Sequence, residues 1–439
     1  MSLDPADTSV RATSRATPHW REWPKPNGGL ESPPAGKIAC HTKTYATLIR
    51  MCRTLSLALF LTGALYAAEP PRVFILDAKI LQEHRTDTDL ATAARAAAAK
   101  VISRGPFSVL QKTAVPPSGD KHDYLSQAPY WWPDPSKPNG LPYIRKDGVR
   151  NPEINGITDH TNMDHVASDS QTLALAWYFT GDENYAARAA LLLRTWFLDP
   201  ATRMNPNLNF GQYVPGVNDG RGTGIIETRG LTSAVDAAGL LAGSKTWPDA
   251  DQKGMERWFA DFAKWLQESA NGKDESKATN NHGTFYDLQV ADFLLFAHLD
   301  AMAKSVLMAS KTKRIAAQIE PDGRQPLETD RTRGISYSVM NLNGLFLLAT
   351  LGDRVGVDFW NYRTKEGRSI RKALDWVIPY STGEKKWPYA QIESYNSSDL
   401  VPALLRAAAH YRDGNYLARV KAEDAKDIPT MLLRLAAEK

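Results

Sequence analysis

Ser168-Asp-Ser-Gln-Thr-Leu-Ala-Leu-Ala-Trp-Tyr-Phe179, then Thr180-Gly-Asp-Glu183, then Asn184-Tyr-Ala-Ala-Arg-Ala-Ala-Leu-Leu-Leu-Arg-Thr-Trp-Phe197, is the stretch that decides the fold. Leu173, Ala176, Trp177 and Phe179 fall at helical spacing, the pattern breaks at Gly181, and a second apolar run resumes and ends near Pro200. A helical period interrupted by a glycine and polar residues reads as two helices joined by a short turn. The same grammar recurs along the chain. Further helices are expected over 91–102, 231–241, 249–270, 285–299, 301–318, 339–351, 369–378 and 399–411. Few stretches alternate with the period of a strand.

Helical hairpins set around an axis give an all-α (α/α) toroid, an incomplete barrel with long loops lining a cleft. Bundles and solenoids leave similar local patterns, but no repeat of fixed length appears, which argues against tandem arrays. Three irregular segments interrupt the helices: 121–162, rich in Pro, Gly and aromatic residues; 205–224, rich in Asn and Gly; and the polar stretch 321–334. Long loops in a compact domain carry function more often than not, so these are the expected cleft walls.

Hydrophobic residues make up 43% of the 439 residues, enough for a substantial core. Lys and Arg number 53 against 49 Asp and Glu, a formal charge of +4. That excess, with no basic run, argues against a nucleic-acid partner. Met51-Cys-Arg53, the apolar Leu55-Ser-Leu-Ala-Leu-Phe-Leu-Thr-Gly-Ala-Leu65 and Tyr66-Ala-Ala68 read as a signal peptide over 51–68. Its apolar core is too short to span a bilayer. Residues 1–50 are rich in Pro, Ser, Thr and Arg and read as a disordered or mis-assigned extension ahead of a start at Met51. One domain is expected over 69–439, periplasmic or secreted, monomeric, with no membrane association after cleavage. Both cysteines, Cys40 and Cys52, precede the cleavage point, so no disulfide or thiol chemistry is expected afterwards.

Asn280-Asn-His-Gly283 opens the apolar run Phe285, Leu288, Ala291, Leu295, Leu299. It brings amides and an imidazole to a helix N-terminus, where the backbone favours an anion. As a plain helix cap it reads equally well. Arg331, Arg333 and Tyr337 lie at a second helix entrance. A guanidinium can grip a carboxylate, and it can also lower the pKa of a nearby phenol; the alternative is a surface ion pair beside a core tyrosine. Amide, imidazole, guanidinium and phenol together suit elimination from a uronic acid polymer. The carboxylate is neutralised so that charge can delocalise from C5, and a base then takes the C5 proton as an acid protonates O4.

Tyr130-Trp-Trp-Pro-Asp-Pro135 offers Tyr130, Trp131 and Trp132 as a stacking platform for sugar rings. Glu227-Thr-Arg229 and Gln391-Ile-Glu-Ser-Tyr-Asn396 could line the cleft through Glu227, Arg229, Tyr395 and Asn396, or make buried ion pairs. His160, Asp164 and His165 have poor spacing for a metal, and Gly220-Arg-Gly-Thr-Gly224 lacks the Lys and flanking strand of a phosphate loop. Neither metal nor cofactor is expected.

Asp123-Tyr-Leu-Ser126, Tyr130–Pro135, Asn162-Met163, Thr180–Glu183, Asn280–Gly283, Pro326-Leu-Glu-Thr-Asp-Arg331 and Tyr337 occur in an order that resembles the alginate lyase superfamily of α/α-toroid polysaccharide lyases. The resemblance is to the branch that includes glucuronan lyases and mannuronate-directed alginate lyases. It implies Asn281 and His282 for carboxylate neutralisation, Arg331 as a further cationic contact and Tyr337 as base and acid. Asn280 and Arg333 are implied as neighbouring substrate contacts, with Arg333 an alternative to Arg331. Better-known members carry a histidine directly after the tyrosine, where this chain has Ser338. The expected partner is an anionic polysaccharide, either mannuronate-rich alginate or glucuronan. The rival readings are an inactive periplasmic carbohydrate-binding protein and an α/α-toroid glycoside hydrolase.

Overall fold

The computed structural model describes residues 70–439. The expected extension and signal peptide, over 1–50 and 51–68, lie outside the described residues. The helices are α1 (Ala78–Glu83), α2 (Thr88–Ala99), α3 (Asp159–Thr180), α4 (Glu183–Leu193), α5 (Leu231–Leu240), α6 (Asp249–Glu268), α7 (Ala270–Glu275), α8 (Asn281–Phe296) and α9 (Asp300–Ser310). They continue with α10 (Pro326–Thr329), α11 (Gly334–Val355), α12 (Ile370–Ser381), α13 (Val401–Tyr411), α14 (Gly414–Leu417) and α15 (Ile428–Ala437). Four short strands, β1 (Leu125–Gln127), β2 (Trp131–Trp132), β3 (Ile144–Arg145) and β4 (Phe210–Tyr213), lie in the loops.

Two concentric layers explain the sequence pattern. Helices α3, α5, α8, α11 and α13 pack in succession as an inner layer, and α2, α4, α6, α9, α12 and α15 back onto them. The last helix, α15, also meets α1 and α2, which closes the ring of the toroid. Outer α6 buries one stripe, Met255, Trp258, Phe259, Phe262, Ala263 and Leu266, as an amphipathic helix should. Inner α8 buries every residue from Gly283 to Phe296, so its apolar residues do not confine themselves to one face. Phe293 of α8 meets Phe259 and Phe262 of α6 at ring separations of 4.8 and 5.7 Å. Helix α11 is long and apolar enough to cross a membrane, but its most apolar window is 67% buried, as an inner helix requires.

The expected hairpin is α3 and α4, with Gly181 ending α3 at φ +69°. Helix α3 begins nine residues earlier than its apolar period, at Asp159, so His160 and Asn162 are helical rather than part of the 121–162 loop. Helices α4 and α9 each run on into a π-helical turn, which accounts for their longer apolar patterns. The first two irregular segments are ordered by each other: β1 pairs in parallel with β4, while β2 and β3 form an antiparallel hairpin.

Arg314, on the turn after α9, is 2% exposed and pairs with Asp287 of α8 at 2.8 and 3.0 Å. The same guanidinium donates to the carbonyls of Ser276 and Ala278, at 3.0 and 2.5 Å, in the chain leading into α8. Gly283 is needed here because a β-carbon would run into the Ala278 carbonyl and Arg314. Removing one member of a buried pair leaves an uncompensated charge. Asp287→Ala is therefore expected to lower stability by about 3–5 kcal/mol, read as a reduced midpoint in chemical denaturation with an unchanged slope.

Candidate active site

The first turn of α8 is held from three sides. Asn280 caps it, its Oδ1 accepting from the His282 N–H at 3.2 Å. Asn281 donates its backbone N–H and its Nδ2 to the two carboxylate oxygens of Glu328, at 2.6 and 2.7 Å, and both residues are 1% exposed. Burial pushes the Glu328 carboxyl up, while the Asn281 bonds and the charge of Arg331 oppose that rise. His282 places Nδ1 at 2.6 Å from Glu275 Oε1 at the end of α7. A carboxylate is an acceptor, so Nδ1 carries the hydrogen and Nε2 is left for a ligand. The His282 side chain is 20% exposed against 1% for Glu275, so the imidazole is the open end of this pair.

The second half of the site begins three residues after Glu328, whose carbonyl accepts the Arg331 N–H at 3.1 Å. Arg331 donates Nε and Nη2 to Asp147 at 3.1 and 2.9 Å. Its guanidinium carbon also lies 4.0 Å from the centre of the Tyr337 ring. Burial would raise the Asp147 carboxyl, but the bonds and charge of Arg331 outweigh it and hold the group below the usual range. The Tyr337 hydroxyl is 2.8 Å from that of Tyr130, so the two phenols share one hydrogen bond. Burial drives the Tyr337 phenol well above its ordinary value; Arg331 pulls it down, and Tyr130 and Asp147 push it further up. Gly148, at φ +74°, lets the Asp147 loop lie against Thr332, where a side chain would collide with the threonine hydroxyl.

Around this pair the loops form a rim. Trp131 and Trp132 stand on the β2–β3 hairpin, with Arg221 5.7 Å from the Trp131 ring and Lys146 5.0 Å from the Trp132 ring. On the opposite flank the Ile392 N–H donates to the Thr332 carbonyl at 2.9 Å, and Arg333 pairs with Glu393 at 3.0 Å. An unbroken set of contacts thus runs from Asn281 through Glu328 and Arg331 to Tyr337 and Tyr130. The arrangement links a phenol and a guanidinium to the amide and imidazole that open α8, flanked by aromatic rings.

The alginate lyase family model matches residues 108–387, which contain every residue of this set. The chain belongs to the alginate lyase family. A solved alginate lyase from Bacteroides ovatus is 40% identical and superposes with a TM-score of 0.76, over 80% of this chain and 94% of that one. Alginate lyase A1-III from Sphingomonas species A1 has the same fold at 18% identity and a TM-score of 0.50, covering 79% of this chain and 90% of that one. A variant of A1-III complexed with a tetrasaccharide gives a TM-score of 0.54 at 17% identity, covering 84% and 97%. No curated protein sequence matches the chain. The protein is a polysaccharide lyase with the helical toroid expected from its hairpins.

Among the residues expected to form the lyase site, Asn280, Asn281, His282, Arg331, Tyr337 and Tyr130 lie within the contact set, with Trp131, Trp132 and Arg333 at its rim. The others stand apart. Glu227 is buried and accepts from Tyr124 and Ser126 at 2.7 and 2.6 Å, so it anchors β1 from inside rather than lining the cleft. Arg229 is exposed and donates to the carbonyl of Ile226 in its own turn. Tyr395 bonds Ser381 at 2.8 Å, and Asn396 caps the turn that follows it. Among the described residues neither Glu227 nor Arg229 makes a buried ion pair, the alternative to lining the cleft. The sequence assigns no role to Asp147, Glu275 or Glu328, although Asp147 lies inside the 121–162 loop and Glu328 inside Pro326–Arg331.

Proposed function

We propose that this lyase cleaves a β-1,4-linked polyuronate, mannuronate-rich alginate or glucuronan, by β-elimination. Tyr337 takes the C5 proton and returns a proton to the departing O4. In β-linked mannuronate and glucuronate these two positions share one face of the sugar, so one phenol can serve both steps. In its doubly protonated form His282 donates from Nε2, and Asn281 donates from its amide, to the uronate carboxylate. Arg331 acts first on Tyr337, because its guanidinium is already bonded to Asp147 and lies 4.0 Å from the ring. That contact between cation and phenol is the observation that carries the reading: a phenol raised by burial needs a neighbouring positive charge to work as a base. Trp131 and Trp132 serve as stacking surfaces for neighbouring sugars. The leader-like 51–68 segment supports action in the periplasm or outside the cell.

The test is ultraviolet absorbance by the new C4–C5 double bond on polymannuronate, polyguluronate and glucuronan. Absorbance should rise on at least one β-linked polymer. Tyr337→Phe should reduce kcat by roughly 10²–10⁴-fold with the melting temperature preserved. Reducing ends without absorbance would mean hydrolysis instead, and a folded protein that binds these polymers without cleaving them would be a binding protein.

Arg331 gives a second, signed expectation. The base must be ionised, so kcat/KM rises with pH through the ionisation of Tyr337. Arg331 favours the ionised form. Arg331→Gln should therefore move the acidic limb of the kcat/KM profile to higher pH, by about one unit or more. An unmoved limb would assign the base to another group.

A further inference from the structure

Glu328 has surroundings that its burial does not explain. It is 1% exposed, and among the described residues its carboxylate has no ion-pair partner within 4.0 Å. Burying a carboxylate without a paired cation is costly. Both of its oxygens are spent on one neutral residue, Asn281, through the backbone N–H at 2.6 Å and Nδ2 at 2.7 Å. The bond to the Asn281 N–H serves the helix start, as Asn280 serves the His282 N–H, but the bond to the Asn281 Nδ2 does not.

A carboxylate does have one property here that a neutral group lacks. It accepts and never donates, so the end of the Asn281 amide that faces it must be the NH2. One Nδ2 hydrogen is taken by Glu328, and the second stays available beside the N-terminus of α8. A neutral partner such as glutamine offers one donor and one acceptor, and lets the amide turn over to present its oxygen. Glu328 also adjoins the second half of the site, its backbone carbonyl accepting the Arg331 N–H at 3.1 Å.

We propose that Glu328 is a positioning residue for the elimination, holding the Asn281 amide so that an N–H, not the carbonyl oxygen, meets the uronate carboxylate. This rests on the carboxylate-neutralising role of Asn281 given above. The interaction grows as negative charge develops on the carboxylate during C5 deprotonation, so its loss falls on kcat more than on KM.

The experiment is a double-mutant cycle on the polymer that the wild type cleaves, with kcat and KM measured for Glu328→Gln, Asn281→Ala and the double variant. Glu328→Gln is expected to lower kcat by about 10–100-fold, the usual effect of removing an outer-shell partner, with KM changed by less than about threefold. The double variant should be no slower than Asn281→Ala alone, because Glu328 acts through that amide. A merely structural glutamate would give losses that multiply, and multiplied losses would overturn the proposal. So would a Glu328→Gln enzyme that keeps its wild-type kcat. Near-ultraviolet circular dichroism checks the fold; if the glutamine variant does not fold, Glu328→Asp takes its place in the same cycle with the same criteria. Activity persisting in Tyr337→Phe would instead bring down the elimination reading itself, so the two failures are distinguishable.

Discussion

Helix α8 belongs to the inner layer, and the Asn281 that opens it is only 1% exposed. A helix leaves its first N–H groups without internal partners, and burying them unpaired is costly. Much of the site follows from that constraint. Glu328 takes the Asn281 N–H, Asn280 takes that of His282, and Gln318 donates to the Asn280 carbonyl at 3.1 Å. Arg314 gathers the carbonyls of the approaching chain. The groups that make the helix start tolerable in the interior are the same ones that aim its side chains.

This constraint also explains which parts of the molecule were legible in the sequence. Outer helices such as α6 face water on one side and wrote a clear period into Met255–Leu266. Inner helices are apolar all round, so α11 was read as 339–351 when it spans Gly334–Val355. Its first turn, holding Ser336 and Tyr337, falls outside the expected 339–351 because the apolar pattern starts only after it. Helices α1 and α15 were missed: α1 is a single short turn and a half, and α15 follows a polar, Lys- and Asp-rich approach. The ring closure they provide therefore had no local signature.

The same division holds in the site. Asn281, His282, Arg331 and Tyr337 announced themselves because amide, imidazole, guanidinium and phenol stood at two helix entrances. Glu275, Asp147 and Glu328 did not, because an acidic residue in a polar turn has no pattern of its own. Each becomes meaningful only through a partner, and for Asp147 that partner is 184 residues away. Glu227 failed in the opposite way: an acid beside an arginine looked like cleft chemistry, and folding turned the acid inward to Tyr124 and Ser126.

Beneath the two halves of the site runs a chain of buried amides. Gln318 joins the Asn280 carbonyl to Thr284 and Asn341, Asn341 donates to Gln325 at 2.7 Å, and Gln325 donates to the Ser338 carbonyl at 3.0 Å. All four side chains are 3% exposed or less. Apolar residues could fill that volume, but they would remove the side-chain donors from the Asn280 and Ser338 carbonyls and would accept several packings. A polar network with directional bonds accepts few arrangements, because each misplaced donor leaves a buried group unsatisfied. Its ends lie beside the capping Asn280 and the residue after Tyr337. The network therefore fixes the spacing between imidazole and phenol, and a displacement of about 1 Å there is enough to cost roughly 10²-fold in rate. That sensitivity is why a costly polar interior belongs under this site and hydrocarbon does not.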